Sequence, residues 1–144
     1  MEPFVERYHV DGGNFAHAGE ASIAMKKTLR GLGVSPDAIR KAAICMYEGE
    51  INMVIHASGG EIEMQFDGKS ILMILRDNGP GIGDTSQALK AGYSTATAAV
   101  RDLGFGAGMG LPNMCRYADE FDIHSEIGKG TAITMRVKLE TAGN

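Results

Sequence analysis

Apolar and polar positions follow three different rhythms along this chain. FVERYHV, residues 4–10, alternates with a period of about two and predicts a first strand ending at Asp11-Gly12-Gly13. Over residues 14–32 the period lengthens. Phe15, Ala18, Ala21, Met25 and Leu29 fall at helical spacing, and Gly31 and Gly33 stop the run. Ser35-Pro36-Asp37 reads as a helix start, with a capping hydroxyl, a proline at the first position and then an acid. That helix is expected to run to about Ala57 and to end at Ser58-Gly59-Gly60.

The two-residue period then returns. EIEMQFDG alternates as a half-exposed strand does, whereas SILMILRDNG is nearly all apolar, as an inner strand is. Asp67-Gly68-Lys69 predicts a hairpin turn between them. A short helix is expected near Thr85 to Ala91, a long loop over 92–108, and a further helix over Gly110 to Ala118. FDIHSEIG and GTAITMRVKLE read as two closing strands around a glycine turn. Strands adjacent in sequence pair antiparallel, and grouped helices form one layer. The pattern therefore predicts an α+β fold: a two-layer α/β sandwich with a mixed, mostly antiparallel sheet and helices on one face.

Bulk properties narrow the class. With 144 residues the chain fits one domain, residues 1–144, large enough to bury a core. Fourteen basic against eighteen acidic residues give a net charge of −4, which argues against a nucleic-acid partner. No apolar stretch approaches the ~20 residues of a membrane span. The N-terminus MEPFVERYHV does not read as a signal peptide, and Cys45 and Cys115 lack metal-ligand spacing. A cytoplasmic protein with two reduced, partly buried thiols is expected.

Four places carry candidate chemistry. Glu48, Asn52 and His56 stand four apart and form a slowly drifting stripe on one helix face. The plain reading is a solvated face. The chemical one is that the Asn52 amide oxygen serves Mg²⁺, while the Glu48 carboxylate orients or deprotonates a nucleophile. DNGPGI, residues 77–82, is a turn or a purine wall. Asp77 can accept from an exocyclic amine such as that of adenine, and Gly79 and Gly81 let backbone approach a flat ring. GFGAGMG, residues 104–110, precedes a helix and is a hinge or an anion site built of backbone N–H groups. It is neither a Walker loop nor a dinucleotide fingerprint. Gly128-Lys129-Gly130-Thr131 reads as a hairpin turn with a threonine at the strand start.

In the order Glu48-x-x-x-Asn52-x-x-x-His56, Asp77-x-Gly79-x-Gly81, Gly106-x-Gly108-x-Gly110-Leu111 and Gly130-Thr131, this set resembles the GHKL ATPases and their Bergerat fold. The stand-alone size is similar to the anti-sigma factor serine/threonine kinases, the RsbT, RsbW and SpoIIAB group. AGYSTAT and GAGMGLPNMCRYADEFDIHS look closest to RsbT-like proteins, the switch kinases of the stressosome. The resemblance implies ATP and Mg²⁺ as cofactors. It implies Glu48 as the base, Asn52 as the Mg²⁺ ligand, and Asp77 on the adenine amine supported by Thr131. Gly79, Gly81 and Ile82 would line the ring, and Gly106, Ala107, Gly108, Met109, Gly110 and Leu111 would meet the phosphates.

It further implies a protein kinase acting on STAS-domain proteins, which on release binds a metal-dependent phosphatase or another output protein. The alternative is a nucleotide-gated sequestering protein with little turnover. A detached histidine-kinase ATP domain is a third reading, disfavoured because no phosphoacceptor helix is expected. Two departures from the family pattern stand out. Gly49-Glu50 occupies a place where small apolar residues are usual, and the segment Ala96 to Gly104, with Arg101, looks longer than in RsbT-like proteins.

Overall fold

The structure, a computed structural model, describes residues 2–12, 15–56, 59–77, 110–126 and 130–139. Its strands are β1 (Phe4–Asp11), β2 (Gly59–Phe66), β3 (Ser70–Asp77), β4 (Glu120–Glu126) and β5 (Gly130–Lys138). Its helices are α1 (Glu20–Gly31), α2 (Pro36–His56) and α3 (Gly110–Tyr117), with one 3₁₀ turn at Phe15–His17. The strands form one sheet in the order β1-β2-β3-β5-β4, antiparallel at all four described pairings.

Strand alternation puts one face of the sheet in the core. Ile62, Leu75 and Ile133 sit side by side across β2, β3 and β5. Met64, Met73 and Met135 form the next row, and Phe66, Ile71 and Val137 the third. All nine are buried. Against them α1 sets Ala21, Met25 and Leu29, and α2 sets Ala38, Ala42, Cys45, Met46 and Met53. Each large side chain so buried contributes about 1.5–3 kcal/mol.

The turn chemistry reads as the sequence does. Asp67 Oδ1 accepts from the backbone N–H groups of Lys69 (2.8 Å) and Ser70 (2.9 Å), and Gly68 takes φ 88° between them. Ser35 Oγ accepts from Ala38 N at 3.4 Å, capping α2 ahead of Pro36. The expected helix over 14–32 begins later, at Glu20, because Gly19 at φ 96° turns the chain just before it. The two thiols also differ from expectation. Cys45 is fully buried, which pushes its pKa up to about 12, whereas Cys115 is exposed. The expected helix near Thr85 to Ala91 and the loop over 92–108 lie outside the described residues. Among the described residues no helix is long and apolar enough to cross a membrane.

Candidate nucleotide site

Two close approaches bring the site together. The first is between α2 and β3. Gly49 is buried, and a Cβ there would collide with the Leu75 side chain and sit 3.8 Å from Met114 Sδ. The missing side chain lets α2 press on the strand two residues before Asp77. The second is at the sheet end, where Gly60 pairs with Asp77 and Asp11 pairs with Gly59. A Cβ at Gly59 would meet the Val10 carbonyl, and one at Gly60 the Arg76 carbonyl. The pair Gly59-Gly60 therefore allows β2 to start tightly between β1 and β3.

Asp77, half-buried, ends β3. Its Oδ1 accepts the backbone N–H of Thr131 at 3.1 Å, so β5 fixes the orientation of the carboxylate. Asp77 and Thr131, singled out in separate motifs 54 residues apart, thus meet directly.

Glu48 lies on α2, half-buried, and its Oε1 accepts from Asn113 Nδ2 at 3.3 Å. Among the described residues it forms no ion pair. Asn52, also half-buried, follows one turn later. Gly110 and Leu111 open α3, and three residues on, Asn113 reaches Glu48. Cys45 Sγ approaches the Met114 carbonyl at 3.9 Å, a second tie between α2 and α3. The end of the glycine-rich segment is thereby held beside the polar stripe of α2. Gly79, Gly81, Ile82, Gly106, Ala107, Gly108 and Met109 lie outside the described residues.

A groove of about 710 Å³ runs between α1 and α2. Ile23, Ile39, Ile44 and Tyr47 line it, Lys26 and Arg30 stand along it, and Glu48 belongs to its wall.

Two sets of contacts escaped the sequence reading. Asn113 is a lone amide in the first turn of a short helix, and its only signal is its place three residues after Gly110. Glu50, singled out in the sequence only as a departure from the family pattern, is 2% exposed and turned toward α1. Its Oε2 accepts from Gly19 N (3.0 Å) and Ala21 N (3.1 Å). Its Oε1 accepts from Ser22 N (3.1 Å) and Ser22 Oγ (2.9 Å).

The arrangement suits Mg²⁺-nucleotide chemistry. Among the described residues no group of three His, Cys, Asp or Glu side chains could hold a metal. An Mg²⁺ ion bound through one amide oxygen, waters and phosphates needs no such group, and Asn52 is an amide that could hold one.

Comparison with known proteins places the chain in a family. A "Serine/threonine-protein kinase RsbT" of Bacillus subtilis (strain 168) is 34% identical over 86 residues, 57% of this chain. That match spans 59% of the kinase's own length. An "Anti-sigma F factor" of Clostridium novyi (strain NT) is 28% identical over 127 residues, covering 84% of this chain and 85% of the relative. The solved structure of a "Mycobacterial sensor histidine kinase MprB" shares the fold at TM-score 0.55 and 14% identity, over 95% of this chain and 99% of that one. Residues 37–141, well over half of the chain, match the family described as "Histidine kinase-, DNA gyrase B-, and HSP90-like ATPase", and the chain belongs to that family.

Proposed function

We propose that this protein is an ATP-dependent serine/threonine kinase of a partner-switching pathway, working in the cytoplasm and phosphorylating STAS-domain proteins. The observation that carries the reading is Glu48. Its carboxylate accepts from Asn113 and forms no ion pair among the described residues, and Glu48 belongs to the wall of the groove between α1 and α2. A chain that only bound nucleotide would not need a carboxylate at this place.

In this reading Asp77 accepts the adenine amine and Thr131 holds Asp77 in place. Asn52 holds Mg²⁺, and the first turn of α3 offers N–H groups to the phosphates. Bound Mg²⁺-ATP supplies the phosphoryl group. Glu48 takes the proton of the acceptor serine or threonine as its oxygen bonds to phosphorus, and ADP leaves. Release from the phosphorylated partner frees the protein to engage an output protein, such as a metal-dependent phosphatase.

The relatives named anti-sigma F factor, one of them matched over 84% of this chain, favour a second reading in which sequestration is the main output. Incubation of the protein with labelled ATP, Mg²⁺ and candidate STAS-domain proteins separates the two. Label on a serine or threonine supports the kinase. Stable, nucleotide-dependent binding without label supports sequestration.

A further inference from the structure

The first turn of α1 is capped in an unusual way. Its N-cap residue is Gly19, at φ 96°, which has no side chain to accept from the free N–H groups. The cap comes instead from Glu50, 31 residues further on and in the middle of α2. Both carboxylate oxygens are used, each by two donors, within 3.1 Å. A buried carboxylate is tolerated only when it is satisfied in this way. A local serine would cap α1 equally well. What Glu50 does that a serine could not is tie α1 to α2.

The tie falls at a sensitive place. Glu50 stands two residues after Glu48 and two before Asn52. At ~100° per residue it projects from the side of α2 roughly opposite that stripe. On the sheet side, α2 rests on Leu75 through Gly49. With one side tied to α1 and another close-packed on the sheet, the helix resists turning about its own axis. A roll of ~20°, at a side-chain radius of ~5–6 Å, would move the Glu48 carboxylate by ~2 Å. Misplacement by ~1 Å is enough to cost ~10²-fold in rate.

We infer that Glu50 is a positioning residue: by clasping the first turn of α1 it fixes the roll of α2 and so the aim of both Glu48 and Asn52. The inference rests on the reading of those two residues as base and Mg²⁺ ligand. It assigns Glu50 no contact with nucleotide or acceptor.

The test uses Glu50→Gln and Ser22→Ala in the full chain, beside wild type. Glu50→Gln keeps the size but turns one accepting oxygen into a donor facing donors. Four quantities are read: kcat for phosphate transfer to the STAS-domain acceptor, KM for that acceptor, ADP affinity in EDTA, and the gain in ADP affinity on adding Mg²⁺. The expected result for Glu50→Gln is a kcat lower by about 10–100-fold and a reduced Mg²⁺ gain. KM and the EDTA affinity should stay within about threefold, because no residue touching acceptor or adenine has changed. Ser22→Ala, which removes one of the four bonds, should move kcat and the Mg²⁺ gain the same way but less.

A lower melting temperature with unchanged kcat and Mg²⁺ gain would make the clasp a stabilising contact only and overturn the inference. If Glu50→Gln does not fold, Ser22→Ala decides on the same two readouts. Wild type that transfers no phosphate but keeps its Mg²⁺ gain would sink the kinase reading alone, and the Mg²⁺ gain would still judge Glu50. Wild type lacking both would sink both.

Discussion

Thr131 N lies 3.1 Å from Asp77 Oδ1, so the start of β5 holds the carboxylate that ends β3. One motif thus aims the other. The bond also makes Asp77→Asn a clean substitution. The asparagine oxygen can still accept from Thr131, and what is lost is the charged acceptor. Hydrogen bonds to charged groups contribute about 1.5–3 kcal/mol, so nucleotide affinity should fall roughly ten- to hundredfold. Glu63→Gln, on β2 beside Arg7 and Gln65, should leave it unchanged. Calorimetry with ADP gives both numbers, and equal affinities would remove Asp77 from the adenine role.

Gly49 gives a stability prediction. A side chain at an exposed helical glycine would gain about 1 kcal/mol from propensity. Here Cβ would collide with Leu75, a residue 1% exposed in the centre of the sheet. Gly49→Val should therefore destabilise by about 1–3 kcal/mol, the usual cost of overpacking a core. Urea denaturation at constant m-value measures it. A variant as stable as wild type would mean that α2 does not press on β3 at this point.

These two cases show which part of the molecule was readable in advance. The strand periods, the Asp67 turn and the Ser35-Pro36 helix start are local, and each is settled by residues within four positions. Asp77 and Thr131, which the structure joins, were singled out because each lies in a motif. The contacts of Glu50 and Asn113 were not legible, because their partners are 31 and 65 residues away. Nothing near Glu50 in sequence distinguishes an acid on a site from an acid capping another helix. Only the packing of α1 against α2 decides it. The later start of α1 has the same origin, since Gly19 at φ 96° is placed by contacts with α2 and not by the helical period of 14–32.

His9 supplies a pH dependence. Its Nδ1 lies 2.6 Å from Glu61 Oε1 and its Nε2 3.0 Å from Asp11 Oδ1. A neutral ring can donate from only one nitrogen, whereas the imidazolium serves both carboxylates. The hydrogen bond to Glu61, then its charge, raise the His9 pKa above the ordinary 6.5. Because the folded value is the higher one, the stabilisation is complete below the unfolded pKa and is lost as pH rises through the folded one. A proton NMR titration of the His9 ring should give a pKa above 6.5 in wild type and a lower one in Glu61→Gln. The same value in both would break the link to Glu61.

The last prediction concerns Glu48 and the amide that orients it. Asn113 Nδ2 donates to Glu48 Oε1 at 3.3 Å across the contact between α3 and α2. If Glu48 is the base, Glu48→Gln keeps the size of the side chain but cannot take the proton. Loss of general-base help costs about 10²–10⁴-fold in rate. Nucleotide affinity should barely change, since the base does not hold phosphates. Asn52→Ala should differ in kind, losing the Mg²⁺-dependent part of nucleotide binding as well as turnover. Asn113→Ala should lie between wild type and Glu48→Gln in rate, because the base survives but its carboxylate can rotate. A typical hydrogen bond contributes a net ~1 kcal/mol, so a loss of about fivefold is expected for Asn113→Ala. Phosphate transfer to a STAS-domain acceptor, measured beside ADP affinity for all three variants, orders them. Transfer by Glu48→Gln at the wild-type rate would end the assignment of Glu48 as base, and with it the reason for placing Asn113 in the site.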